Sequence, residues 1–393
     1  MSKLYLFNPD SDLALANNDE NYMAPAPARK IGKDLALLPI WYCQAGSMVL
    51  AQSHPHAAYF NQLSTHFEFS TALITYSELA CIKPASVELW GWNLAVRKQL
   101  IEQGISEDVL YTSKQLSQMR ELSHRKTSAL LLNQLAIHPL LCGLSETLYT
   151  ISDLDCWSRQ STEFILKAPL SGSGKGLKWA RYGLDSVTRR WFINLLDKQG
   201  SVMVEPIYNK VKDFAMEFQL HSPTEIEFIG FSSFTTNQNG AYTGNNLIAD
   251  TVFENQLEQD YFYSGFLSEI RLLIEKQILR IYGKDYRGYL GVDMMVCRSS
   301  EKPYYQLHPC VEVNLRMNMG IVAHSIHKRY VAKNCEGIYR IDYAKKSGKS
   351  YQNHLLLQEK HPLIIKEGKI QSGYLALCPV TPESQYHAWI LIA

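Results

Sequence analysis

Two apolar runs in the last third of the chain, GVDMMV (residues 291–296) and CVEVNLR (residues 310–316), each place an acid inside what otherwise reads as a buried strand. Side chains two positions apart on a strand share a face, so Glu312 and Asn314 emerge together, with Arg316 next in the same row. A carboxylate pointing inward from an apolar strand is costly unless a cation or hydrogen bonds compensate it. If the two runs are neighbours in one sheet, Asp293, Glu312 and Asn314 form a set of hard oxygen donors suited to Mg2+, an ion that commonly also coordinates substrate phosphates.

A second feature asks for phosphate independently. LKAPLSGSGKGL (residues 166–177) packs three glycines, two serines and two lysines around one turn, directly after a strand that contains Lys167. Glycine lets backbone N–H groups approach a polyphosphate closely. The loop is not a Walker A motif, because Pro169 stands where the first glycine belongs and Gly176 where the hydroxyl belongs. Nor is it a dinucleotide fingerprint, since Leu177 occupies the last glycine position. A phosphate cradle and a plain hairpin turn both remain open on this stretch alone.

With 393 residues, two or three packed units are expected. The formal charge of +1, from 39 basic and 38 acidic residues, gives no nucleic-acid groove and no membrane-binding face. The eight cysteines show no CxxC pair and no regular spacing, which argues against zinc and against a secreted disulfide framework. LYLF is too short for a signal-peptide core, and LALLPIWYCQAGSMVLA is interrupted by Pro39, Gln44 and Gly46, so no membrane span is expected and a cytoplasmic setting is.

KLYLFN, PIWYC, SMVLA and VELWGWN read as short buried strands, with helices such as AVRKQLIEQG between them, so a small parallel sheet is expected over residues 1–120. SQMRELSHRKTSALLLNQLA then reads as one long amphipathic helix. Strands FILKAP, LKWAR, VMVEPI and DFAMEFQL follow, partly antiparallel. IEFIGFSSFTT, the helix LSEIRLLIEKQILRIYG and the strands YLGVDMMVC, CVEVNLR, SGYLALCPV and HAWILIA complete the chain.

Taken in order, these elements resemble the ATP-grasp ligases over most of residues 120–325. The resemblance implies an α/β (α+β) fold: a small Rossmann-like domain over 1–120, a first nucleotide-binding lobe over 121–204 and a second lobe over 205–393. It implies that Lys126 and Lys167 contact ATP phosphates, and that Ser171, Gly172, Ser173, Gly174 and Gly176 form the loop closing over the β- and γ-phosphates. Lys175 in that loop is a catalytic candidate. Glu205 and Ile207 match the hinge at the adenine edge, and Asp213 the acid on the ribose hydroxyls. Asp293, Glu312 and Asn314 fall where the family holds Mg2+, expected as two ions with Mn2+ an admissible substitute. Arg316 completes E-x-N-x-R and faces the reacting phosphoryl group or carboxylate. The segment TTNQNGAYTGNN lacks the phosphate-binding lysine that many relatives carry there, a role Arg287 is a candidate to take over.

The implied reaction is ATP-dependent joining of a small-molecule carboxylate to an amine, or to a thiol, through an acyl phosphate, with ADP and phosphate released. A kinase of the same fold acting on a hydroxyl and a nucleotide-binding module without turnover are the alternatives. A homodimer is expected by analogy. Asp10 and Asp12 in NPDSD read first as turn or helix-cap residues and Arg29 and Lys30 as a solvated basic run, while His308 and Cys310 receive no role.

Overall fold

The structure, a computed structural model, describes residues 2–51, 53–135, 138–172, 176–237 and 242–393. Four short strands, β1 (Lys3–Leu6), β2 (Ser47–Leu50), β3 (Thr71–Ile74) and β4 (Ser86–Leu89), pair in parallel in the order β3-β2-β1-β4. Chain order reverses between β1 and β4, and in open α/β sheets ligands bind outside the carboxyl ends of the strands at such a reversal. NPDSD follows β1 and WGW follows β4, so both segments are delivered to that rim.

Two expectations for this region are corrected. PIWYC is not a strand: Leu38–Trp41 forms a buried 3-10 turn, with Pro39 near its start, and the Trp41 indole donates to the Leu377 carbonyl at 2.8 Å. Proline has no N–H to give a ladder, which disfavours a central strand there. The single long helix is two, Ser113–Ser123 and Arg125–Leu135, separated by His124 with an extended ψ of 133°. The His124 ring accepts the Lys126 backbone N–H at 3.0 Å and so starts the second helix.

A second, antiparallel sheet contains β5 (Glu146–Leu148), β6 (Phe164–Lys167), β7 (Leu177–Ala180) and β8 (Val202–Pro206) in the order β5-β8-β6-β7. Leu154 and Trp157 of helix Ile151–Gln160 and Phe192 of helix Ser186–Gln199 seal its apolar face. The glycine loop joins β6 to β7.

The third sheet has nine strands: β9 (Lys210–Ser222), β10 (Glu225–Thr236), β11 (Tyr242–Leu247), β12 (Gly288–Arg298), β13 (Tyr305–Asn314), β14 (Gly337–Tyr343), β15 (Ile364–Lys366), β16 (Lys369–Ala376) and β17 (Tyr386–Ile392). They run antiparallel in the order β13-β12-β9-β10-β11-β14-β17-β16-β15. Alternation decides its faces. Phe214, Met216, Phe218 and Leu220 of β9, with Leu290, Val292, Met294 and Val296 of β12, pack on Ile270, Ile274 and Ile278 of helix Phe266–Tyr282. Asp213, Ala215, Glu217 and Asp293 therefore occupy the opposite face.

Helix Lys349–Lys360 lies over β16 and β17 and encloses His387, whose ring hydrogen-bonds the Tyr374 hydroxyl at 2.5 Å. Burial, then the neighbouring His354, hold His387 down at about 3, against 6.5 when solvated. Between these values the unfolded chain binds the extra proton, so stability rises with pH across the window and is lost as pH falls from about 6.5 towards 3. Going from pH 6.5 to about 4.5 is expected to cost on the order of 2–3 kcal/mol through this residue. Urea unfolding of wild type and His387→Leu at both pH values checks this; an unchanged pH slope in the variant would assign the acid loss to other groups.

Candidate active site

The acid face of the third sheet is set by register. Asp293 lies directly across from Glu312, Gly291 from Asn314, and on the other side Ala215 from Asp293 and Glu217 from Gly291. The Asn314 amide donates to Asp293 Oδ2 at 3.0 Å and the Arg316 guanidinium to Asn314 Oδ1 at 3.0 Å. Burial, then the Glu312 carboxylate, push Asp293 up to about 7. Glu217 is pushed up to about 8, chiefly by burial, although the Asn318 amide donates to it at 2.7 Å. Two carboxylates and an amide are thus gathered on one face, with the Arg125 guanidinium on Glu312 and the Arg316 guanidinium on Asn314. No three Asp, Glu, His or Cys side chains among the described residues converge on one point. The donors are Asp293, Glu312 and the amide oxygen of Asn314, all oxygens, and they fit a hard divalent cation that takes the rest of its ligands from water or phosphate.

Arg125 is the residue the sequence reading missed. Its guanidinium is 6% exposed and ties the glycine loop to the acid face: it donates to Glu312 Oε1 and Ser171 Oγ, both at 2.7 Å, and to the Ala168 carbonyl. Lys126, expected at the phosphates, is turned away from this group. It pairs with Glu121 at 2.9 Å with its side chain 46% exposed. The signal was helical periodicity. Arg125, Ser128, Ala129 and Leu132 form one buried face, whereas Lys126 and Leu130, four apart, face outward.

The Lys167 ammonium, at the end of β6, meets Glu205 of β8 at 2.5 Å, and both residues are buried. His308 lies beside them, fully buried, with neither ring nitrogen bonded; burial, then Lys167, hold it neutral at about 3. Ile207 sits in the short link between β8 and β9. The Asp213 carboxylate is taken by Lys210 at 2.5 Å and by the Thr236 hydroxyl at 2.8 Å, on the same face as Asp293 but further along β9.

In the loop, Ser173, Gly174 and Lys175 lie outside the described residues. Gly172 and Gly176 are constrained by space. A Cβ on Gly172 would stand 1.8 Å from Asp12 Oδ2, and one on Gly176 2.2 Å from Ser171 Oγ. Asp12 makes no cap. It grips Arg316 in a two-pronged fork, 2.7 Å on each arm, across 304 residues of sequence. Burial alone would lower Arg316, but Asp12, followed by Glu312 and Asp293, outweighs it and raises the guanidinium. Asp10 precedes helix Ser11–Asn17 without a side-chain cap bond. Arg29 and Lys30 stay outside the site, Arg29 on the Ala24 carbonyl at 3.2 Å and Lys30 on Asp34 at 2.6 Å.

A cavity of about 670 Å³ opens from Ser171, Glu312, Asn314 and Arg316 towards the carboxyl ends of β1 and β4, and is lined there by Ser11, Asp12, Trp90 and Trp92. That is within the range of small-molecule sites.

Neither a protein-family model nor a curated protein matches the sequence. Solved structures do match along the whole chain. N5-carboxyaminoimidazole synthetase from Staphylococcus aureus, complexed with ADP, aligns with a TM-score of 0.51 at 12% identity, over 100% of this chain and 93% of its own. Biotin carboxylase from Campylobacter jejuni, in a β,γ-ATP complex, gives 0.51 at 11% identity over 100% and 87%. N5-carboxyaminoimidazole ribonucleotide synthetase from Thermus thermophilus gives 0.51 at 11% over 100% and 94%. The chain has the ATP-grasp fold. Arg125 links the segment after β6, through Ser171, to Glu312 of the third sheet. No helix among the described residues is long and apolar enough to cross a membrane.

Proposed function

We propose that this ATP-grasp chain is an ATP-dependent carboxylate–amine ligase working through an acyl phosphate. The observation that carries the reading is the meeting of Asp293, Glu312 and Asn314 with the Arg125-tethered glycine loop at the mouth of a ligand-sized cavity. Mg2+ would be held by Asp293, Glu312 and Asn314, and when bound it neutralises phosphate oxygens and orients them.

The chain's own residues do the rest. Lys167 offers a buried ammonium to the nucleotide side of the gap, Glu205 and Ile207 border the base, and Gly172 and Gly176, lacking a Cβ, let the loop backbone lie close against Asp12 and Ser171, with its amides offered to the phosphates. A substrate carboxylate oxygen attacks the γ-phosphorus and ADP leaves. The amine nitrogen then attacks the carbonyl carbon, loses a proton, and orthophosphate leaves. Arg316 and Arg125 supply fixed positive charge beside the oxygens that gain charge, and closure of the loop keeps water out. The two lobes are assigned to 121–204 and 205–393, after an amino-terminal unit over 1–120. Eight cysteines with no CxxC pair and no regular spacing support a reducing, cytoplasmic setting.

Titration calorimetry with ATP is expected to show binding in the presence of Mg2+ and weakening by about tenfold or more in its absence. Incubation with ATP, Mg2+ and pooled carboxylates and amines is expected to release orthophosphate only when both partners are present. Phosphate retained on an acceptor would identify a kinase instead, and no magnesium-linked nucleotide uptake would end the ligase reading.

A further inference from the structure

The cavity's charge is distributed unevenly. Of its three arginines, Arg97 is paired with Glu107 and Arg316 is forked by Asp12, whereas no Asp or Glu among the described residues pairs with Arg287. Arg287 is nonetheless fixed in place. Its Nη1 donates to the carbonyl of Gly283 at 2.6 Å and to that of Tyr286, at the carboxyl end of helix Phe266–Tyr282, which leaves the rest of its fork uncommitted. It precedes β12, and since Gly291 lies across from Asn314, Arg287 and Arg316 stand at the same end of the sheet.

The walls around it are aromatic. Trp92 meets Tyr111 edge-on at 4.9 Å, and Tyr286 and Tyr289 line the space beside them, with the Tyr286 hydroxyl donating to the Tyr289 carbonyl at 2.5 Å; the Glu88 carboxylate, paired with Lys3 at 2.9 Å, shares this lining. The Ser11 hydroxyl, 3% exposed, lines the same space without a partner.

We infer that the carboxylate substrate is a flat, aromatic-bodied acid whose acid group docks on Arg287, with its ring held among Trp92, Tyr111 and Tyr289. Arg316 keeps Asp12 as its partner and serves the phosphoryl end. A planar fork suits a carboxylate in two-point contact, and ring faces and edges suit a flat body. This rests on the ligase reading above and names the substrate class of the same site.

The test uses the full chain and four probes, benzoate, 3-phenylpropionate, benzamide and acetate, titrated with and without Mg2+ and a non-hydrolysable ATP analogue. The two aryl acids are expected to bind, with benzamide and acetate at least about tenfold weaker, since each lacks either the charge or the ring. Arg287→Gln is expected to weaken the aryl acids by a further factor of about ten or more, and Arg287→Lys by less, because it keeps the charge but not the fork. Urea midpoints close to wild type verify that both variants are folded, and a parallel loss of nucleotide binding would overturn the assignment by placing Arg287 on the phosphates. Equal binding of acids and amide, no binding of either aryl acid, or loss in Arg316→Gln but not in Arg287→Gln would each overturn the assignment. Aryl-acid binding that survives when no nucleotide binds would sink the ligase reading and leave this subsite standing.

Discussion

Replacing Glu312 by Gln is expected to reduce ADP formation by at least about a thousandfold while leaving the protein folded. Glutamine keeps the shape and one oxygen, so the bond from Arg125, 2.7 Å in the native protein, has an acceptor to return to. What disappears is one of the two carboxylate charges that face each other between β12 and β13. A divalent cation held by oxygen donors depends on that charge, so the loss should appear as weaker Mg2+-dependent nucleotide binding as well as slower turnover. A native circular dichroism spectrum and a single cooperative unfolding transition would show that structure is intact, with the midpoint lowered by the loss of charge beside the buried Arg125. A variant that turns over at full rate would mean that the cation site lies elsewhere.

The second large effect concerns stability. Lys167→Met is expected to cost about 3–5 kcal/mol, because it leaves the Glu205 carboxylate buried beside an apolar side chain. Removing both charges should be much less damaging. Lys167→Met combined with Glu205→Leu replaces a desolvated ion pair by packed methylenes, an exchange that is often neutral or stabilising. Urea unfolding of the two single variants and the double variant gives the coupling directly. Independent, additive losses would mean that the two side chains do not share one buried interaction. All three variants are expected to bind nucleotide poorly, so a stable double variant without binding would separate the pair's use from its contribution to folding.

Much of this was legible in residue order. The pattern in GVDMMV and CVEVNLR set Asp293, Glu312 and Asn314 apart from the core, because strand periodicity is a local property, whereas Asp213 was reached only through the family resemblance. Lys126 and Arg125 show where local reading fails. Both are basic and adjacent, and it is the buried row of Ser128, Ala129 and Leu132, in the helix that starts after His124, that takes Arg125 inward. PIWYC misled because a short apolar run is equally at home in a buried turn. The fork between Asp12 and Arg316 had no local signal at all, since its partners come from different sheets and meet only once the chain has folded.

That fork has a mechanical consequence. Asp12 follows β1 of the parallel sheet and Arg316 follows β13 of the large one, so a swing of the amino-terminal unit away from the nine-stranded sheet must pull the carboxylate off the guanidinium. Gly172 lies against the same carboxylate, so the loop loses its stop at the same moment. One aspartate therefore ties the segment after β1 to the segment after β13 and fills the space beside Gly172, so a substitution at Asp12 alters both contacts at once.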